Sequence, residues 1–212
     1  MSGCCEHGGC GCHPEGLVKA ESPVSAEAWI QDDHYFAMAR LASKNSTCAK
    51  THTGAAIVKD GKLIARSCNL CSPEGKQYYK LVEKCPREGM KTGTGYELCK
   101  PVHAEVMACL NAKVMVSQHA LTQEVLEKFA GHLKPSEEEI LAAFTPEEMK
   151  VLNGAICYLA GHYWACENCI NFLKAVGITD IRLAPTTAKE TKEKYQAKGI
   201  TKEQSEPPPG SD

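Results

Sequence analysis

Asp60-Gly61 separates two short runs, GAAIVK at 54–59 and KLIARS at 62–67. A two-residue Asp-Gly connection between strand-like runs specifies a tight antiparallel hairpin, because both turn residues must accept positive φ. Any fold for this chain must therefore accommodate a hairpin near its start. Upstream, apolar residues recur at a helical period from Ser25 to about Ser43 (Trp29, Tyr35, Phe36, Met38, Ala39, Leu41, Ala42). Far downstream, GAICYLAG at 154–161 is a continuous apolar run suited to a buried strand. A helical pattern over 166–176 follows, stopped by Gly177, and ITDIRLA at 178–184 reads as another strand. Strand, helix and strand in that order predict a parallel crossover, right-handed by the general rule. With a further helix over 102–116, the order is helix, hairpin, helix, insert, strand, helix, strand. That order predicts an α/β domain with helices layered on a sheet.

Composition narrows the function classes. The chain has 212 residues, 43% of them hydrophobic, enough for a proper core. Lys plus Arg number 24 and Asp plus Glu 26, a net charge of −2. Such a balance argues against a dominant electrostatic grip on nucleic acid. A small charged substrate is still compatible, since a pocket needs only a few cations. No apolar run reaches membrane-spanning length. Glu6, His7, His13 and Glu15 fall where a signal peptide would need an apolar stretch, so a cytoplasmic location is expected. In that compartment the 13 cysteines point to metal binding, redox work or packing rather than a disulfide framework. Residues 1–22 open with a Cys/Gly-rich tail that cannot build a core, and 188–212 form a charged tail ending in PPPGSD. The domain between them is expected to span 23–187.

Two local motifs carry chemistry, His103-Ala104-Glu105 and Cys166-Glu167-Asn168-Cys169, each at an expected helix start. Cysteines at i and i+3 share a helix face, and the dipole and free N–H groups at a helix N-terminus favour thiolates, the metal-binding form. Two thiolates and one imidazole make a three-ligand zinc set whose fourth tetrahedral position stays open, the pattern of a catalytic site. Pro101 supports a helix start just upstream of His103. There, one of His103 and Glu105 can bind metal while the other serves as general acid and base. H-x-E followed by C-x-x-C matches the zinc-deaminase signature, with Ala165 where the signature has proline.

The stretches STCAKTHTGAAIVKDGKLIARSCN, ELCKPVHAEVMACLNA and GHYWACENCINFLKAVGITDIRL resemble the cytidine and deoxycytidylate deaminase family. Ser46-Thr47-Cys48, Gly54-Ala55, Asp60-Gly61, Asn69 and Cys99 bring the chain nearest its deoxycytidylate branch. The resemblance implies a three-layer α-β-α cytidine-deaminase-like fold on a mixed central sheet of about five strands, with a helical insertion at about 117–153. It implies Zn2+ held by His103, Cys166 and Cys169, with Glu105 shuttling protons. It also implies that Asn69, the Ala104 backbone N–H, Lys50 and Trp164 contact the substrate, Trp164 and Tyr163 walling the base pocket. The partner implied is a small-molecule pyrimidine nucleotide, and a homo-oligomer is expected; no membrane or nucleic-acid partner is.

The implied reaction is hydrolytic deamination of a cytosine nucleotide, dCMP to dUMP, in pyrimidine nucleotide metabolism. The alternatives are deamination of another amino-heterocycle or of a polynucleotide base, and a catalytically silent zinc-binding module. Retention of Glu105 speaks against the silent module. Cys71, Cys85 and Cys99 offer a second, structural metal site in the long loop from about 70 to 101, while Cys48, Cys109 and Cys157 read as small core residues or bystanders. The segment between Glu105 and Cys166 is about twice the family's usual length. Its inserted part reads as a surface decoration or oligomer contact, with a lid or substrate-selecting role as the alternative.

Overall fold

A computed structural model describes residues 26–73, 78–90, 94–131, 133–162 and 165–184. The tails expected at 1–22 and 188–212 lie outside the described residues. Ten elements follow in chain order: α1 (Ala26–Ser43), β1 (Gly54–Lys59), β2 (Lys62–Cys68), α2 (Ala104–Ser117), α3 (Gln123–Lys128), α4 (Glu137–Leu141), α5 (Pro146–Leu152), β3 (Ile156–Ala160), α6 (Glu167–Ala175) and β4 (Asp180–Leu183).

The hairpin forms as its turn dictates. Asp60 and Gly61 adopt φ of 50° and 71°, and β1 pairs antiparallel with β2 from Gly54↔Cys68 to Lys59↔Lys62. β1 also pairs antiparallel with β3, and β3 runs parallel to β4. The sheet order is β2-β1-β3-β4, so among the described residues the mixed sheet has four strands rather than the expected five or so.

Strand alternation divides the core into two layers. Ala55 and Ile57 of β1, with Cys157 and Leu159 of β3, face α2 and α6. Ala56, Val58, Tyr158 and Ala160 face the other way, onto Tyr35, Phe36 and Ala39 of α1. Helices thus cover both faces, in the expected α-β-α layering. α1 comes very close to β1: a Cβ at Gly54 would overlap the Ala39 carbonyl oxygen and the Ser43 nitrogen. Tyr158 and Arg182 both hydrogen-bond Asp32, at 2.6 and 2.7 Å, tying α1 to β3 and β4.

The insertion docks on the core through one face. Leu126, Ile140 and Leu152 are fully buried, and they belong to the same cluster as α2 and α6. Phe129 and Phe144 meet Phe172 of α6 edge-on, with ring centroids 5.3 and 6.1 Å away. Its helices are shorter than the pattern suggests. Thr122 caps α3 by accepting from Val125 N, so residues 118–121 stay outside the helix. Ser136 and Thr145 head α4 and α5 with complete capping boxes, as their spacing to Glu139 and Glu148 predicts. These ends set the starts of three short helices.

Candidate active site

The site lies beyond the end of the sheet marked by Gly54, Cys68 and Ala160, where β3 finishes and the loops around it meet. Paired backbone hydrogen bonds of 3.0 and 2.8 Å between Leu70 and Val102 clamp the long loop across its base. That clamp sets Asn69 on one side and His103 on the other. His103 is the N-cap of α2 and Cys166 the N-cap of α6, both with extended backbone and neither with a side-chain cap bond. Ordinarily an N-cap side chain satisfies the helix's own N–H groups. Here both side chains are left free to turn toward one another.

The result is a compact donor set. His103 Nδ1 lies 3.2 Å from Cys169 Sγ and 3.4 Å from Cys166 Sγ. All three donor atoms lie within 4.8 Å of one another, and no other such group of three occurs among the described residues. Tetrahedral zinc with ordinary Zn–N and Zn–S bonds puts a nitrogen about 3.6 Å from each sulfur. The geometry and the soft, mixed donor chemistry therefore fit zinc. The Cys166 thiol is pulled down to about 4, chiefly by its hydrogen bond with Cys169 and, against burial, by His103. Cys169, buried and bonded to Cys166, moves far the other way. Burial opposes charging of His103, but the hydrogen bond and charge of Cys166 outweigh it and the net shift is upward.

Glu105, two residues into α2, is 4% exposed. Burial pushes its carboxyl above the usual carboxylate range, partly opposed by His103, and its side chain hydrogen-bonds with Cys169. A carboxyl that is dry, shifted toward neutrality and in contact with the ligand set is equipped to accept and return a proton. Ala104 is fully buried at the first position of α2, where a helix has no internal acceptor for its N–H.

The other expected residues are placed as follows. Asn69 is buried and holds the loop before β1: its Oδ1 accepts from Ser46 Oγ and Thr53 N, both at 2.8 Å, and its Nδ2 donates to Thr51 O at 2.9 Å. Lys50, on that loop, is exposed. Tyr163 and Trp164 lie outside the described residues. Cys71, Cys85 and Cys99 are not brought together as a metal site. Cys71 and Cys99 pack with Val82, and it is Cys48 that joins them. Hydrogen bonding from Cys71 draws the Cys48 thiol down to about 5 against its burial. Sequence reasoning misses Cys48 because a single cysteine in a polar loop gives no sign of which distant thiols it will meet.

Two further residues at the site escape a reading of the sequence. Gly131, in the turn after α3, packs directly on the His103 ring. Asn168, between the two cysteines, donates to the carbonyls of Gly131 and Leu133 at 3.1 and 3.2 Å. The position of Asn168 in the C-x-x-C motif is the one available signal; nothing in the sequence marks Gly131.

A buried set of two cysteines and one histidine beside a carboxylate, at helix starts flanking a mixed sheet, defines a zinc-site α/β protein of catalytic type. The family described as "Cytidine and deoxycytidylate deaminase zinc-binding region" matches residues 30–184. The chain belongs to that family, and zinc is its metal. No curated protein matches by sequence. Solved structures similar to it include the dCMP deaminase of cyanophage S-TIM5 in complex with dCMP and dUMP, at 16% identity over 84% of this chain and 96% of that one, with a TM-score of 0.42. Another is Acinetobacter baumannii RibD, at 18% identity over 81% of this chain and 34% of that one, with a TM-score of 0.34. Among the described residues no helix is long and apolar enough to cross a membrane.

Proposed function

We propose that this protein is a cytoplasmic, zinc-dependent hydrolase that converts dCMP and water to dUMP and ammonia. The observation that carries the reading is Glu105, buried and touching the Cys166–Cys169–His103 set. A purely structural zinc site has no use for a desolvated carboxyl at that place.

Zinc bound by His103, Cys166 and Cys169 would bring the pKa of a water to around neutrality. Glu105 accepts the proton of the attacking water and passes it to N3 of the cytosine ring as the oxygen bonds to C4. It then takes the proton of the new C4 hydroxyl and delivers it to the amine, the C4–N bond breaks as the C4 carbonyl forms, and ammonia leaves. The upward shift of Glu105 by burial suits both halves of this exchange, because the carboxyl must take and give the same proton. The free N–H of Ala104 is available to the base. Asn69 orders the loop that carries Lys50, which supplies a cation for the phosphate, and Trp164 is assigned to the base by the family resemblance.

The test is ammonia release by zinc-loaded protein on dCMP, CMP, dCTP, deoxycytidine and cytidine, with Glu105→Ala alongside. Turnover of dCMP that is lost in Glu105→Ala supports the reading. Turnover confined to another member of the panel overturns the choice of dCMP, and silence on all five with zinc bound overturns free-nucleotide deamination.

A further inference from the structure

The insertion reaches the metal ligands at the turn that carries Gly131, where two contacts run to the ligand-bearing segments. Gly131 N donates to Pro101 O at 2.6 Å, two residues before His103. Gly131 itself lies against the Nε2 end of the imidazole. A Cβ there would overlap Nε2 and come within 2.7 Å of Cδ2 and 2.9 Å of Cε1. The ring is therefore held on two sides, by the cysteine sulfurs at Nδ1 and by the Gly131 backbone at the opposite edge. Asn168, carried on α6 between Cys166 and Cys169, bonds the carbonyls of Gly131 and Leu133 with its side-chain amide. Behind this turn, Phe129 packs edge-on against Phe172 of the same helix.

The three ligands come from two helices, and the insertion turn is the piece that touches both. We propose that this turn is a positioning element for zinc: Gly131 fixes the rotation of the His103 ring, and Asn168 locks the turn to the cysteine-bearing helix. Neither residue is a ligand. Both act through the ligands, as partners outside the coordination shell do when they orient a metal-binding imidazole. Glycine is required at 131 because any side chain would displace the ring. Asn168 is suited to its role because one short amide can serve two carbonyls two residues apart. The insertion thus acts on the metal rather than as a lid over it. This role rests on the zinc site proper and is independent of which nucleotide the site accepts.

The test compares wild type, Asn168→Ala, Gly131→Ala and Ser136→Ala as full-length chains. Ser136→Ala loosens the same insertion at the exposed capping box of α4, away from the ligands. Zinc affinity is read by competition with a chromophoric chelator, ligand geometry by the thiolate and ligand-field absorption of the cobalt(II)-loaded protein, and folding by the melting of the apo forms. Asn168→Ala and Gly131→Ala are expected to weaken zinc by about 10- to 100-fold and to shift the cobalt spectrum. Ser136→Ala should lower the apo melting temperature while leaving affinity and spectrum as in wild type. Folded Asn168→Ala with zinc affinity within twofold of wild type and an unchanged spectrum overturns the proposal. So does a Ser136→Ala variant that loses as much affinity as Asn168→Ala. Should Gly131→Ala fail to fold, the Asn168 comparison decides alone. Wild type that binds zinc but turns over no substrate overturns the deaminase reading and leaves this one to be judged by the affinities.

Discussion

Glu148 ties the insertion to α2, and its replacement has a calculable cost. Its side chain is 1% exposed and does two things at once. Oε2 accepts from Thr145 N at 2.8 Å, closing the α5 capping box, and from Lys113 Nζ of α2 at 3.1 Å. Glu148→Ala removes the cap bond, worth about 1 kcal/mol. It also leaves the Lys113 ammonium with the Ala143 carbonyl, at 2.6 Å, and the face of the Phe144 ring. Removing one partner of a buried pair costs about 3–5 kcal/mol when the other is fully enclosed. Lys113 is 23% exposed and water relieves it, so about 1–2 kcal/mol is the appropriate share here. The total is about 2–3 kcal/mol, or a melting temperature lower by about 4–12 °C for a chain of this size. Glu148→Gln keeps an acceptor for Thr145 N and should cost only the charge share. Urea and thermal denaturation of these two variants, with Lys113→Met and the double variant Glu148→Ala/Lys113→Met, give the coupling directly. A Glu148→Ala cost under about 0.5 kcal/mol would refute the reasoning, as would a separate early transition showing that the insertion melts apart from the core.

Three other outcomes are expected. Glu105→Gln should keep zinc, measured by metal analysis, while dCMP turnover falls by about 10²–10⁴-fold, the usual worth of a positioned proton-transfer group. Cys48, with its thiol held at about 5, should alkylate at a rate that halves near pH 5 and is flat at neutral pH. Its ionised form is the one favoured in the fold, so it stabilises the protein fully above the unfolded thiol range and progressively less as pH falls toward 5; Cys71→Ala, which removes the donor, should move the alkylation midpoint upward. Gly54→Ala should cost about 3 kcal/mol in urea unfolding, since its methyl overlaps backbone atoms of α1 that cannot rotate aside.

The strands and ligands were legible because their signals are local. Asp60-Gly61 needs only itself to announce a turn, and the apolar run around Cys157 and Leu159 needs only its length. His103, Glu105, Cys166 and Cys169 were readable because two short motifs at helix starts admit few chemistries. The role of the insertion was not readable. Leu126, Ile140 and Leu152 show only that some face is buried, and the partner of that face, α6 with Phe172, follows later in the chain. Gly131 and Cys48 share this limit: each owes its place to contacts with residues that no periodicity connects to it. Asn69 was recognised as a residue near the site, but its bonds to Ser46, Thr51 and Thr53 show it also ordering the loop that bears Lys50.

The strand order carries a consequence for how the chain matures. β1 lies inside the finished sheet, yet β3, which covers its second edge, follows only after the long loop, α2 and the whole insertion. The β1–β2 hairpin can form as soon as both strands leave the ribosome, and until β3 arrives it presents a bare edge that is apolar on both faces, the type of edge that recruits other chains. The Asp32–Arg182 contact, 150 residues apart in sequence, closes last. The nascent protein therefore carries an open template strand from the completion of β2 until β3 is made, and a chain stopped before β3 would be prone to self-association rather than merely inactive.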